Sequence, residues 1–176
     1  MRNQTWTGLF SLLFSLVTGT VQAQTCHPES IPASTPNSQL QDNGDGTITD
    51  TKTGLIWKRC LEGQSGSDCA SGSAEAFTWQ QALQRAKTVN SSGGFAGFSD
   101  WRLPTIKELS SLVEHQCVDP AINLTRFPNA SNHWLWSSSA VAGGTYRAWG
   151  VGFGNGYTSW NNKNFNYQLR LVRSGQ

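Results

Sequence analysis

The chain has 176 residues, with 13 Lys and Arg against 11 Asp and Glu, and a formal net charge of +2. A length of this order suits one domain. The near-neutral charge, with no basic run, excludes the electrostatic surface of a nucleic-acid-binding protein. The 18 Gly and 8 Trp favour a loop-rich, mostly β domain over a helical bundle.

Residues 1–23 are predicted to form a cleavable signal peptide. Arg2 supplies the positive charge, and residues 9–17 (LFSLLFSLV) form an apolar stretch shorter than the about 20 residues of a membrane span. Small or tolerated residues precede a cleavage point after Ala23. We expect an exported protein, periplasmic or extracellular at the cell surface, with no transmembrane segment in the mature chain. A retained membrane anchor is the alternative, and the length of the apolar stretch argues against it.

A leader and a β-meander come next. Residues 24–37 are rich in Pro, Ser and Thr, which predicts an extended and mobile segment. The domain is placed at 38–176. Its first feature is a tight turn, NGDG at 43–46, between short strands at 38–42 and 47–50, and a third strand is predicted at 55–57.

The four cysteines are an even number in a chain predicted to be exported, which favours disulfides over a metal site. Four cysteines allow three pairings. Cys60 and Cys69 flank a short loop rich in Gly and Ser, so local geometry favours that pair and leaves Cys26 with Cys117. Zinc is disfavoured because no C-x-x-C spacing occurs.

Two helices follow, each announced by a capping box. Thr78 and Gln81 begin the first, whose apolar residues recur at helical spacing to Val89. Thr105 and Glu108 begin the second. The predicted buried face of the second helix consists of Ile106, Leu109, Leu112 and Val113.

After residue 133 the pattern changes to a period of two, which predicts strands at 134–138, 148–153, 156–160 and 168–172. GNG at 154–156 predicts a hairpin turn. The order of elements predicts a single α+β domain with an N-terminal β-meander, two helices and a C-terminal antiparallel sheet. Four tryptophans are assigned to its core: Trp57, Trp79, Trp101 and Trp136. The pattern leaves Trp149 open between core and surface.

Several short motifs, in this order, resemble the Lcl C-terminal domain family, which is named after a collagen-like bacterial adhesin. They are DNGDGT at 42–47, TGLIW at 53–57, DWRLPT at 100–105, PAIN at 120–123, WSSS at 136–139 and RLVR at 170–173. The RLPT and RLV segments are also similar to relatives of formylglycine-generating enzymes. These resemblances imply a C-type-lectin-like fold, although fold does not decide function.

Catalysis is not expected. The formylglycine-generating relatives depend on a reactive cysteine pair near the carboxyl end, and this chain has no cysteine after Cys117. A triad can be drawn from Ser137, His133 or His115, and Asp100 or Asp119, but no nucleophile-elbow motif supports it. The sequence therefore predicts neither an enzyme nor a cofactor.

No metal site is expected either. An EF-hand alignment centred on Gly46 lacks the key carboxylates, and the calcium-binding motifs of sugar-binding C-type lectins do not occur. A different calcium turn remains the alternative. It would use Asp42, Asn43, Asp45 and Asp50. The hairpin interpretation is favoured, because such turns require Asn-Gly and Asp-Gly.

The segment 145–168 is crowded with aromatic, Asn, Ser and Gly residues, a composition typical of recognition surfaces. Residues 161–167 show no period and are predicted to form an exposed loop, with a solvated Asn-rich turn as the alternative. The candidate ligand-binding residues are Tyr146, Arg147, Tyr157, Trp160, Asn162, Asn164 and Tyr167.

The sequence thus predicts an adhesin-like domain that binds a glycan or protein at the cell surface. Four cations favour an anionic glycan, as the resemblance to an adhesin also implies: Arg147, Lys163, Arg170 and Arg173. Two alternatives stay open, a periplasmic enzyme related to the formylglycine-generating group and a structural component of the cell envelope.

Overall fold

The computed structural model describes residues 23–175, so the predicted signal peptide lies outside the described residues except for Ala23. The α+β class is confirmed: two helices and several antiparallel sheets form one small domain. In chain order the elements are β1 Thr25–Cys26, β2 Leu40–Asp42, β3 Thr47–Asp50, β4 Leu55–Lys58, β5 Gln64–Ser65, β6 Ser71–Gly72, α1 Trp79–Ser91, α2 Ile106–Ser110, β7 Cys117–Val118, β8 Trp134–Ala140, β9 Arg147–Gly152, β10 Tyr157–Asn162 and β11 Val172–Ser174.

The predicted meander is confirmed, and it lies in a four-stranded antiparallel sheet of order β11-β4-β3-β2. The turn between β2 and β3 requires glycine at Gly46 for two reasons. Its φ is +87°, and a Cβ there would lie 2.9 Å from the ring of Phe95. The turn is therefore packed against the rest of the domain.

Both helices begin as predicted, because both capping boxes form. Helix α2 is shorter than its apolar pattern indicates. Its last turn tightens, so that the N–H of Leu112 donates to the carbonyl of Leu109 and that of Val113 to the carbonyl of Ser110, each at 3.2 Å. Leu109, Leu112 and Val113 are nevertheless buried, as predicted.

The C-terminal sheet has three strands in the order β10-β9-β8, all antiparallel. The predicted fourth strand at 168–172 is wrong. Gln168 forms only an isolated parallel bridge with Leu135, and β11 pairs with β4 in the other sheet. The residues between, 169–171, are all buried, so they do not follow the alternation of a strand with one solvent-exposed face.

Two hydrophobic cores lie on opposite sides of this C-terminal sheet. On one side Val151 of β9 packs with Leu109 of α2, and we call this side the α2 face. On the other side Ala148 of β9 packs with Ala82 of α1, and we call it the α1 face. The two faces alternate along each strand.

The tryptophan assignments are confirmed at three positions, and at the fourth the side chain packs against the core on the α1 face while only half-buried. Trp57, Trp101 and Trp136 are buried. Trp79 is half-buried, because it lies at the start of α1, where its indole N–H reaches the carbonyl of Ser137 at 2.8 Å. Trp149 is also half-buried.

Both predicted disulfides form, Cys60–Cys69 and Cys26–Cys117. The second joins β1 to β7, which pair as neighbouring strands. This disulfide therefore links the beginning of the leader to the domain.

The prediction of an extended, mobile leader is wrong, because the segment folds against the domain. The buried carboxylate of Glu114 accepts the backbone N–H groups of Ser34 and Thr35, both at 2.9 Å. Both hydroxyl groups also donate to it. Burial raises the pKa of Glu114, but the N–H donors of Ser34, Gln116 and Thr35 outweigh burial, and the pKa lies below its usual value.

Candidate functional site

The hairpin of β9 and β10 positions most of the predicted ligand-binding residues. In its register Trp160 lies opposite Trp149, and Asn162 lies opposite Arg147, so all four side chains project from the α2 face. β10 is at the edge of the sheet. These residues therefore lie on the outer rim of the domain.

A row of alternating rings and cation runs across this rim. The guanidinium of Arg147 lies 3.9 Å from the ring centroid of Trp160 and 5.0 Å from that of Tyr146, which are cation–π distances. Both rings are largely exposed, Tyr146 at 56% and Trp160 at 45%. Both rings lie against the guanidinium, which forms no ion pair with a carboxylate of residues 23–175.

A hollow of about 420 Å³ lies beside this row, between the start of α1 and the end of β10. Lys163 spans it: its ammonium donates to the carbonyl of Thr145 at 2.8 Å and lies 4.3 Å from the ring of Trp79. The backbone N–H of Asn164 donates to the side chain of Asn162 at 3.0 Å, which fixes the turn after β10. The hollow is thus lined by amides, a cation and aromatic rings.

Arg147 and Lys163 have no acidic partner among residues 23–175, whose ion pairs are all made by other cations. No Asp or Glu follows Asp119 in the sequence, so this part of the chain cannot neutralise them. Two cations without a carboxylate, next to exposed rings, form a surface that favours an anion.

The other two predicted cations do not belong to this surface. Arg170 is 1% exposed and donates to the backbone carbonyls of Lys58 and Arg59. Burial lowers the pKa of Arg170 to about 9, so it stays protonated at neutral pH. Arg173 is buried and pairs with Asp100 at 2.8 Å. Their roles are structural.

Two predicted ligand-binding residues are separated from the rim. Tyr157 lies opposite Gly152 and therefore projects from the α1 face, at the other end of the strand from Asn162. Tyr167 is half-buried, with its ring centroid 4.5 Å from that of Trp136, and burial raises the pKa of its hydroxyl. The prediction of an exposed loop at 161–167 is wrong at both ends, since 161 and 162 extend β10.

Sequence reasoning missed the contribution of α1 to the hollow. Thr78 and Trp79 line it, together with residues more than 60 positions later in the chain. The capping box marked the start of the helix, but no local signal shows which distant segment lies against that start. The backbone N–H of Trp79 donates to the carbonyl of Lys163 at 2.9 Å and joins the two.

The alternative calcium turn has its carboxylates engaged by the protein. Asp42 accepts the N–H of Gly44 and pairs with Arg59, and these contacts keep the pKa of Asp42 low. Asp45 accepts the N–H and hydroxyl of Thr47. Within residues 23–175 no cluster of three or more His, Cys, Asp or Glu suits a metal ion.

The triad drawn from the sequence does not assemble around Ser137. That side chain is fully buried in β8, and its hydroxyl donates to the carbonyl of Trp149 at 2.7 Å. His133 lies in an exposed position outside the strand. The serine has a structural partner, and no bond between it and a histidine forms.

A second hollow, of about 330 Å³, lies beside the Cys60–Cys69 disulfide. Its two cations are already paired, Lys58 with Glu62 and Arg59 with Asp42. This makes it a weaker candidate than the rim, where the cations have no acidic partner.

No helix in the described part of the chain is long and apolar enough to cross a membrane. A comparison with protein families matches residues 46–173 to the model described as the Lcl C-terminal domain. A comparison with curated proteins finds no match.

Proposed function

The chain belongs to the Lcl C-terminal domain family, and from that premise we propose that it is an exported, adhesin-like domain that binds a glycan or protein at the cell surface without catalysis. The ligand class favoured by the rim is an anionic glycan. The observation that carries this proposal is the row of Tyr146, Arg147 and Trp160, in which a cation without an acidic partner lies between two exposed rings.

The chemistry of the row suits a sugar that bears a carboxylate or sulfate. The ring of Trp160 offers apolar area for the face of a pyranose. The guanidinium of Arg147 offers paired N–H donors that match the oxygens of an anionic group. Lys163 and the amide of Asn162 lie beside them and supply further donors.

Export is part of the same proposal. Two disulfides brace the described domain, and disulfides persist outside the reducing cytosol. The predicted signal peptide supplies the route. A secretion assay that compares the full chain with one starting at residue 24 tests this part directly.

A glycan array that includes sulfated and uronic-acid glycans tests the ligand, run with calcium and with a chelator. We expect specific binding that weakens with rising salt and is indifferent to the chelator. Arg147→Ala is expected to weaken binding about tenfold or more, because it removes charge-assisted hydrogen bonds. Arg147→Lys keeps the charge and is expected to restore only part of the affinity.

Lys52→Ala is the matched control, since Lys52 is an exposed cation in a turn far along the chain from the rim. It is expected to bind like the unchanged protein. The assignment of this rim as the ligand-binding site is contradicted if no anionic glycan on the array binds. It is also contradicted if binding persists in both Arg147→Ala and Trp160→Ala.

A further inference from the structure

The α1 face of the C-terminal sheet carries an aromatic surface at the end remote from the rim. Trp134 of β8 and Tyr157 of β10 lie opposite Gly152 of β9 from its two sides, so they share this face. A Cβ on Gly152 would lie 3.0–3.3 Å from three atoms of the Trp134 indole. These nearly equal distances show that the indole lies flat on the glycine.

The flat indole continues into a row of rings. On the side of β8 away from β9, Tyr167 lies 5.9 Å from Trp134 between ring centroids, and their planes differ by only 24°. The row ends there, because the ring of Phe165 stands at 61° to that of Tyr167 and its backbone N–H donates to the carbonyl of Asn162 at the rim. On the other side Tyr157 is 69% exposed, two strands or about 10 Å from Trp134. We call Trp134, Tyr157 and Tyr167 the platform.

Trp134 is half-buried, with one face of its indole on Gly152. The part of the indole that stays exposed is the part that can meet a ligand. The platform residues carry no charge, and Ser159 projects from the same face of β10. The surface thus combines apolar rings with a short neutral hydrogen-bonding group.

We propose that this platform binds a chain of uncharged, equatorially linked pyranose sugars. Such a chain is a flat ribbon whose axial C–H groups lie on its two faces and whose hydroxyl groups lie at its edges. The apolar faces match the near-parallel rings of Trp134 and Tyr167, and the edge hydroxyls match the hydroxyl of Ser159. A charged glycan has no partner among these residues.

The platform is distinct from the anionic site. Tyr157 and Asn162 mark the two ends of β10, about 17 Å apart at the rise of a strand. Arg147 and Trp160 project from the α2 face, whereas the platform lies on the α1 face. This inference therefore does not depend on the proposed anionic ligand, and each can fail without the other.

Calorimetric titration of the exported chain with cellohexaose tests the proposal, with maltohexaose as the matched ligand of the same sugar in a curved chain. We expect cellohexaose to bind, to change the tryptophan fluorescence, and to be bound about tenfold more tightly than maltohexaose. Because the ligand is uncharged, raising the salt concentration is expected to leave the affinity unchanged.

Two variants probe the platform by different routes. Tyr157→Ala removes an exposed ring and is expected to weaken cellohexaose binding about fivefold or more. Gly152→Val keeps every ring but displaces the indole from its seat, and is expected to weaken binding similarly. Phe98→Ala removes an exposed ring elsewhere on the domain and is the control, expected to have no effect. Circular dichroism of each variant checks that it is folded.

The proposal is overturned if cellohexaose does not bind, if both hexaoses bind equally, or if Tyr157→Ala binds as well as the unchanged protein. Displacement of cellohexaose by an anionic glycan in a salt-dependent manner would also overturn it, since the ligand would then occupy the rim.

Discussion

The leader and meander differ from the β9–β10 hairpin in whether their charged groups have partners within the protein. In the first region charges are matched inside the protein: Glu62 pairs with Lys58 and Arg85, and Glu114 accepts a cluster of donors from the leader. In the hairpin Arg147 and its neighbours have aromatic rings but no carboxylate. Polar groups that the protein satisfies stabilise the fold, whereas those it leaves unmatched remain available to a ligand.

The same division holds for burial. The matched groups Glu62 and Glu114 are 2% and 3% exposed, whereas the rings of Tyr146 and Trp160 are about half exposed. Substitutions in the first region are therefore expected to change stability, and those in the hairpin to change binding. Three sets of substitutions test whether effects on stability are confined to the first region.

The largest effect is expected from the disulfides. Replacing Cys26 and Cys117 with Ala opens a loop with a sequence separation of 91 and is expected to lower the free energy of unfolding by about 4–5 kcal/mol. Replacing Cys60 and Cys69, separated by 9, is expected to lower it by about 2–3 kcal/mol. Urea unfolding of the two variants measures the difference, and an equal loss in both contradicts the entropic account.

Glu114 comes next. Glu114→Ala leaves the N–H groups of Ser34 and Thr35 without their acceptor, and is expected to lower the free energy of unfolding by about 2–4 kcal/mol. Glu114→Gln keeps an acceptor oxygen and is expected to cost less. The measurement is urea unfolding monitored by tryptophan fluorescence.

The pH dependence of this loss has a definite sign. The pKa of Glu114 is lower in the folded chain than its ordinary 4.5, so its contribution is fully present above that value and is lost as the pH falls through the folded pKa. The gap in stability between the unchanged protein and Glu114→Gln should therefore narrow on acidification. A gap that is constant down to the acid transition contradicts this.

The smallest effect on stability is expected in the hairpin. Trp160→Ala removes a ring that is 45% exposed and belongs to neither core, so the free energy of unfolding is expected to change by less than about 1 kcal/mol. Ala148→Asp, a buried position in the neighbouring strand β9, is the contrasting variant and is expected to prevent stable folding. A large loss in Trp160→Ala would show that the hairpin rim also supports the fold.

Features with a local signal were predicted from the sequence. The capping boxes of α1 and α2, the Gly-rich turn after β2 and the short disulfide loop each depend on residues a few positions apart. The long disulfide followed by elimination. In each case the residues that signal the feature also form its contacts.

Features that depend on distant partners were not predicted. The leader has the composition of a mobile segment, but Glu114 lies about 80 residues later and supplies its acceptor. Alternation along β10 showed that its residues divide between two faces, yet only the register with β9 assigns Tyr157 to one face and Trp160 to the other. For the same reason the sequence could not separate the two cations at the rim from the two with structural roles. Arg170, for example, is buried against carbonyl groups more than 100 residues earlier in the chain.

Strand β10 contributes no residue to either hydrophobic core. Among the described strands its backbone pairs with β9 alone, and its side chains meet the domain at single contacts, such as that of the Thr158 hydroxyl with Ser110 at 3.3 Å. Substitutions in this strand are therefore expected to disturb folding less than substitutions in the strands that build the cores. Under the proposed function, substitutions at residues 157–162 would change the ligand, while the paired charges, disulfides and cores that make the domain stable remain as they are.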